Sequence, residues 1–144
     1  MDKLSISERS SLMAKVRSGD TQPEHRVRRV AHALGLRFRL HRRDLPGKPD
    51  IVFPKYRVAI FVHGCFWHRH PGCKRASMPQ SRIEFWRNKL KRNVQRDLVA
   101  VAALEASGWR TEVIWECETK DSVQIGQRLK LIFFSNRKKS NRRV

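Results

Sequence analysis

Arg57-Val58-Ala59-Ile60-Phe61-Val62-His63 carries five consecutive apolar residues with no alternation. A strand reads this way when both faces of its sheet are covered, so residues 57–63 are expected as the central strand. Immediately upstream, Asp50-Ile51-Val52-Phe53 forms a second strand, joined to the first by a turn at Pro54-Lys55, after the loop Leu45-Pro46-Gly47-Lys48-Pro49. Residues 36–41 alternate Leu36, Phe38 and Leu40 with Arg37, Arg39 and His41, the period of a third strand. Downstream, residues 110–115 give a fourth.

Helices fill the remainder. Thr21-Gln22-Pro23-Glu24 fits a capping box, with Val27, Val30, Ala31 and Leu34 on one side and Gly35 as the stop. Ser81-Arg82-Ile83-Glu84 fits a second, opening a long helix to about residue 106 whose apolar stripe is Leu90, Val94, Leu98, Val101 and Leu104. Residues 7–16 read as a short first helix, with Leu12, Met13 and Val16 on one side, and residues 122–134 as a last one. The order predicts an α/β fold, a mixed sheet flanked by helices, in one domain over residues 1–135. Residues 136–144, with five basic residues in nine, are expected to form a mobile basic tail.

The chain has 144 residues, 32 Lys+Arg and 13 Asp+Glu, a formal charge of +19. No apolar run approaches the ~18 residues of a membrane span, and the first ten residues do not read as a signal peptide. A soluble intracellular domain is expected, with no membrane partner. A surplus of +19 calls for a polyanion, and nucleic acid suits it better than a membrane surface.

Residues 63–73 concentrate His63, Cys65, His68, His70 and Cys73, and Cys117 lies just past the fourth strand. Three cysteines cannot close a disulfide framework, which favours free thiols or metal ligands. Cys65, Cys73, Cys117 and one histidine make a Cys3His set suited to tetrahedral Zn2+; with four protein ligands the site is structural. Spacing alone leaves His63, His68 and His70 open for that place. The alternative is that the cysteines are small buried hydrophobes and the histidines surface groups.

Among the scarce carboxylates, Asp50 stands at a strand mouth, where it can ligate Mg2+ or merely finish a turn. Asp97 falls on the apolar side of the long helix, one turn after Asn93, and is costly there unless bonded to a specific partner or to Arg92 or Arg96 at the edge. Glu24 is accounted for by its cap. A strand-mouth carboxylate, histidines free of zinc and a helix-borne Asp suit metal-assisted phosphodiester hydrolysis, with a histidine as proton acceptor held by the Asp. Phe66, Trp67 and Trp86 can stack on or wedge between bases, whereas Phe85, Trp109 and Trp115 are expected in the core.

Pro49-Asp50, then Phe61-Val62-His63-Gly64-Cys65-Phe66-Trp67-His68, then Glu84-Phe85-Trp86, Asn93, Arg96-Asp97 and Trp115-Glu116-Cys117 resemble the very short patch repair (Vsr) mismatch endonucleases. The resemblance runs from about Met13 to Cys117. It implies a restriction-endonuclease-like fold, with Phe61-Val62-His63 standing where the wider PD-(D/E)xK motif has an acid and a lysine. The implied activity is nicking of double-stranded DNA 5′ of the thymine in a T·G mismatch, such as deamination of 5-methylcytosine leaves. The resemblance implies that Asp50 and the Val62 carbonyl hold Mg2+, that His68 is the general base, that His63 stabilises the transition state or leaving group, and that Asp97 orients the histidine. Glu24 becomes an outer-shell carboxylate acting through a water of the metal, and His70 joins Cys65, Cys73 and Cys117 on structural Zn2+. DNA is contacted by Phe66, Trp67, Trp86, Lys89 and Asn93, and by Met13 and Val16 on the first helix (residues 1–20). A monomer in the bacterial cytoplasm, associated with the nucleoid, is implied. Mismatch-repair proteins and a cytosine-5 methyltransferase system are its implied associates. Two competing readings are a restriction-type nuclease of the same fold and a non-catalytic, zinc-stabilised DNA-binding protein.

Overall fold

The computed structural model describes residues 21–134. The expected first helix, with Met13 and Val16, and the basic tail at 136–144 lie outside the described residues. The elements in order are α1 (Gln22–Ala33), β1 (Arg39–Leu40), β2 (Ile51–Phe53), β3 (Val58–His63), α2 (Ile83–Ala106), β4 (Arg110–Trp115) and α3 (Ser122–Phe133), with single 3-10 turns at Lys74–Ala76 and Glu116–Glu118. The sheet order is β1-β2-β3-β4. β2 is antiparallel to β1 and β3, and β4 runs parallel to β3.

β3 is buried along its whole length, because its alternate side chains feed two cores. Val58, Ile60 and Val62 join Ile51, Phe53 and Ile114 beneath Val27 and Ala31 of α1 and Ile125, Leu129 and Ile132 of α3. On the other face Ala59 and Phe61 join Val52 beneath Leu104, Val101 and Trp109. The result is helices, sheet, helix in three layers, the mixed α/β arrangement read from the sequence.

α1 starts as expected, with the Thr21 side chain accepting the Glu24 N–H. Three local expectations fail. β1 spans two residues instead of six, because Leu36 turns into the core and His41 takes a positive φ of 47°, which ends the ladder. α2 has no Ser81 capping box; its entry residue is Arg82 in the left-handed region, with no side-chain cap, and Glu84 pairs instead with Arg87 at 2.5 Å. Leu98 is 60% exposed instead of in the stripe. At 3.6 residues per turn it points about 80° away from Leu90, whereas Asp97 points only about 20° away and takes the inward place.

Leu104→Ala is therefore expected to cost about 2–5 kcal/mol, and Leu98→Ala less than about 0.5 kcal/mol, in urea unfolding. Equal costs would contradict this packing.

The loop before β2 is pinned at Gly47, whose φ is +72° and where a Cβ would overlap that of Ala100 on α2. Only glycine permits that approach, and it sets the place of Asp50 three residues later.

Candidate active site and metal centre

The C-terminal end of β3, the start of β2 and the loop after β3 converge on one region. Asp50 precedes β2, and its Oδ2 accepts the Val62 N–H at 2.7 Å. Burial first, then the Glu24 carboxylate, push the Asp50 carboxyl up to about 7, against the opposing pull of the Val62 N–H, His41 and Arg28.

Glu24 is buried although it belongs to the first turn of α1. Its Oε1 accepts from Arg28 Nη2 at 3.2 Å and from His41 Nε2 at 3.0 Å, and its Oε2 from the Thr21 hydroxyl at 3.3 Å. Glu24, His41 and Asp50 each bring a ligand atom within 4.8 Å of the other two. Two carboxylates and an imidazole fit a divalent cation.

Sequence reasoning missed His41, treating it as the polar member of an alternating strand. The signal was in the pairing: with Leu40 opposite Ile51, the next residue in each direction places His41 beside Asp50, whose carbonyl accepts the His41 N–H at 3.3 Å.

Two histidines and an aspartate form the second part of the site. His68 Nδ1 lies 2.6 Å from Asp97 Oδ2. With the proton on Nδ1 directed at the carboxylate, Nε2 is the ring atom able to accept a proton. The His63 ring stacks on His68 at 3.7 Å between centroids and 6° between planes, and meets Trp115 edge-on at 5.4 Å. His63 is buried, and among the described residues its Nδ1 has no hydrogen-bond partner. Burial first, then His68, bring its pKa down to about 4 despite Asp97, so the ring is neutral at physiological pH.

Asp97 thus bonds His68 and not Arg92 or Arg96. One turn earlier, Asn93 Nδ2 donates to the Trp67 carbonyl at 3.4 Å while its Oδ1 accepts from Arg96. α2 grips the loop after β3 at two successive turns.

The cysteines meet beneath that loop. Cys65, His70, Cys73 and Cys117 bring one ligand atom each within 4.8 Å of one another. His70 Nδ1 is 3.6 Å from Cys65 Sγ and 3.4 Å from Cys117 Sγ, and the His70 ring stacks on Trp115 at 4.2 Å. A tetrahedral zinc with bonds of about 2.3 Å holds its sulfurs about 3.8 Å apart, so the cluster fits such an ion with little movement. His70, not His63 or His68, faces the thiols. Burial pushes Cys65 up to about 12 and raises Cys117, whereas the Arg75 N–H lowers Cys73. Thiols that cannot readily ionise together are what a divalent cation would stabilise as thiolates. Glu116, also unforeseen, ties the loop to β4 by accepting the Cys65 N–H at 3.1 Å on its Oε1.

Phe66 and Trp67 meet Trp86 at 5.7 and 6.0 Å between centroids. Two aromatic expectations change. Trp86 is only 6% exposed and lies behind the pair, whereas Phe85 is 42% exposed with the Arg82 guanidinium 4.2 Å from its ring centre. Successive helix residues point about 100° apart, so turning Trp86 toward the loop turns Phe85 outward. Trp109 is buried as expected, and Trp115 is held between His63 and His70. Lys89, half-buried, lies one turn before Asn93 on the same helix.

Comparison with known proteins gives this constellation a context. The sequence profile of the DNA mismatch endonuclease Vsr family matches residues 1–75. The chain is 51% identical to the type II nicking enzyme V.XorIIP of Xanthomonas oryzae pv. oryzae over 131 residues, 91% of this chain and 96% of the relative. It is 39% identical to the type II nicking enzyme V.NmeAIP of Neisseria meningitidis, over 89% of this chain and 91% of the relative. It is 42% identical to the DNA mismatch endonuclease Vsr of Escherichia coli, over 81% of this chain and 74% of the relative. The chain belongs to the Vsr family of DNA mismatch endonucleases.

Proposed function

We propose that this Vsr-family endonuclease nicks double-stranded DNA 5′ of the thymine in a T·G mismatch, by metal-assisted hydrolysis on a restriction-endonuclease-like fold. The observation that carries this reading is the His68–Asp97 pair at 2.6 Å, stacked on His63 at the strand end that also carries Val62 and its partner Asp50.

The oxygen donors Asp50 and the Val62 carbonyl, with Glu24 behind, would hold Mg2+. When bound, the ion polarises the scissile phosphate and offsets the charge that develops on it. His68 Nε2 takes the proton of the attacking water, and Asp97 on Nδ1 fixes the ring and stabilises the imidazolium that results. His63, kept neutral by burial, lends a hydrogen bond to the transition state or leaving oxygen without competing for His68's proton. Cys65, His70, Cys73 and Cys117 would hold Zn2+, which would fix the loop that carries His68 against β4.

Phe66 and Trp67 form the wedge that enters beside the mismatch, with Trp86 as the plate behind them; a mispaired step costs less to unstack than a paired one. Asn93 and Lys89 flank the wedge, and Met13 and Val16 approach the duplex from the N-terminal segment. The charge of +19 holds the protein on DNA without reading sequence. The protein works as a monomer of one domain, residues 1–135, in the bacterial cytoplasm on the nucleoid. There it serves a methyltransferase system and mismatch-repair proteins. Among the described residues no helix is long and apolar enough to cross a membrane.

The test is to map the break on a duplex with a single T·G mismatch and an end label on each strand. A single nick immediately 5′ of the thymine is expected; breaks in both strands would point to a restriction-type nuclease, and no break to a binding protein.

A further inference from the structure

We propose that His41 is a third protein ligand of the cation at Asp50, giving this chain a mixed nitrogen and oxygen site that favours first-row transition ions such as Mn2+ over Mg2+. This rests on the reading that Asp50 holds a cation.

Three observations support the assignment. His41, Glu24 and Asp50 already bring one donor atom each within 4.8 Å of the others, near the spacing of ligands on a common ion. The backbone commits His41 to that place: its φ is 47°, a left-handed conformation that costs a histidine energy, and its N–H is bonded to the Asp50 carbonyl at 3.3 Å. The imidazole also stands at the mouth of the site. Its side chain is 35% exposed and that of Glu24 2%, so an ion entering from solvent meets His41 on its way to the carboxylates.

The chemistry follows from the donor. Mg2+ prefers oxygen ligands and keeps much of its water, and gains little from an imidazole. Mn2+ and the later first-row ions accept nitrogen more readily. To ligate, His41 Nε2 would exchange its 3.0 Å bond to Glu24 Oε1 for the ion, leaving Arg28 and Thr21 on that carboxylate. His63, His68 and Asp97 form a separate group, so His41 does not duplicate the proton-transfer pair.

The experiment uses the full-length protein with its cysteine site loaded with EPR-silent Zn2+ and one equivalent of Mn2+. Pulsed EPR is expected to show coupling of Mn2+ to an imidazole nitrogen. His41→Gln keeps an amide able to bond Glu24; it should abolish that coupling and weaken Mn2+ binding about tenfold, with Mg2+ affinity, read by competition, moving less than about threefold. Mn2+ bound without nitrogen coupling, or coupling that survives in His41→Gln, would overturn the assignment and leave His41 as a partner of Glu24 only. Asp50→Asn distinguishes the underlying reading: if it leaves Mn2+ binding intact, the Asp50 cation site itself is wrong, and the inference falls with it.

Discussion

Asp50→Asn is expected to slow nicking of a T·G duplex by about 10³-fold or more, while affinity for the same duplex changes by less than about threefold. Asp50 accepts the Val62 N–H and shares its surroundings with Glu24 and His41, so an amide there keeps the hydrogen-bonding shape and loses the anionic ligand. A metal that contributes several kcal/mol to the transition state is then lost with little change in the ground state. DNA affinity is expected to rest instead on the surplus of Lys and Arg, which the substitution does not touch.

Misfolding would not explain the loss. Burial raises the Asp50 carboxyl from its ordinary value near 3.8 to about 7, so in cation-free protein its charged form is disfavoured by the fold. Stability is therefore lost as pH rises through about 7, and the Asn variant should be at least as stable as wild type at pH 8. For the same reason a proton competes with the ion at Asp50, and cation affinity should fall as pH drops below about 7. Rapid nicking by Asp50→Asn would contradict the metal assignment.

The second large effect concerns the cysteines. Cys117→Ala, or prolonged treatment with a strong chelator, is expected to abolish the cooperative thermal transition, whereas simple withdrawal of Mg2+ should stop turnover and leave the transition in place. Structural zinc contributes on the order of 10–16 kcal/mol in apparent binding, comparable to the roughly 5–15 kcal/mol that separates a folded domain from its unfolded chain. The four residues join the loop after β3 to the turn after β4, and that loop also carries His68. Without the ion, the Cys65 thiol, pushed up to about 12, stays neutral beside two others, and the loop is tied to the turn after β4 by the hydrogen bonds of Glu116, by His70 and by weak contacts among the thiols. Metal analysis should find one zinc per chain. A zinc-free protein that melts within a few degrees of wild type and nicks normally would mean that the cysteines are only packed side chains.

Much of this site can be seen in the sequence because its residues are local. Val58 to Val62 announce a strand covered on both faces, and the Cys/His cluster falls within eleven residues and needs only Cys117 from elsewhere. Asp97 could be flagged because a carboxylate on an apolar helix face demands a partner, though spacing alone does not say that the partner is His68; only the family resemblance implies it. What stayed hidden depends on contacts across the fold. His41 enters the site through antiparallel register with Asp50, and the 36–41 alternation conceals this. The exchange of roles between Phe85 and Trp86 depends on the rotation of α2, which is set by what the loop after β3 offers it. Leu98 and Asp97 are neighbours in sequence; the helix turns the polar one inward because His68 waits there.

The most direct measurement is the single-turnover nicking rate on two duplexes identical except for one base pair, T·G in one and T·A in the other. Wild-type protein should nick the T·G duplex 5′ of the thymine, at least about 10²-fold faster than the T·A duplex, because in the proposed mechanism only the mispaired step yields cheaply to a wedge of Phe66 and Trp67. Equal rates on both duplexes would contradict it.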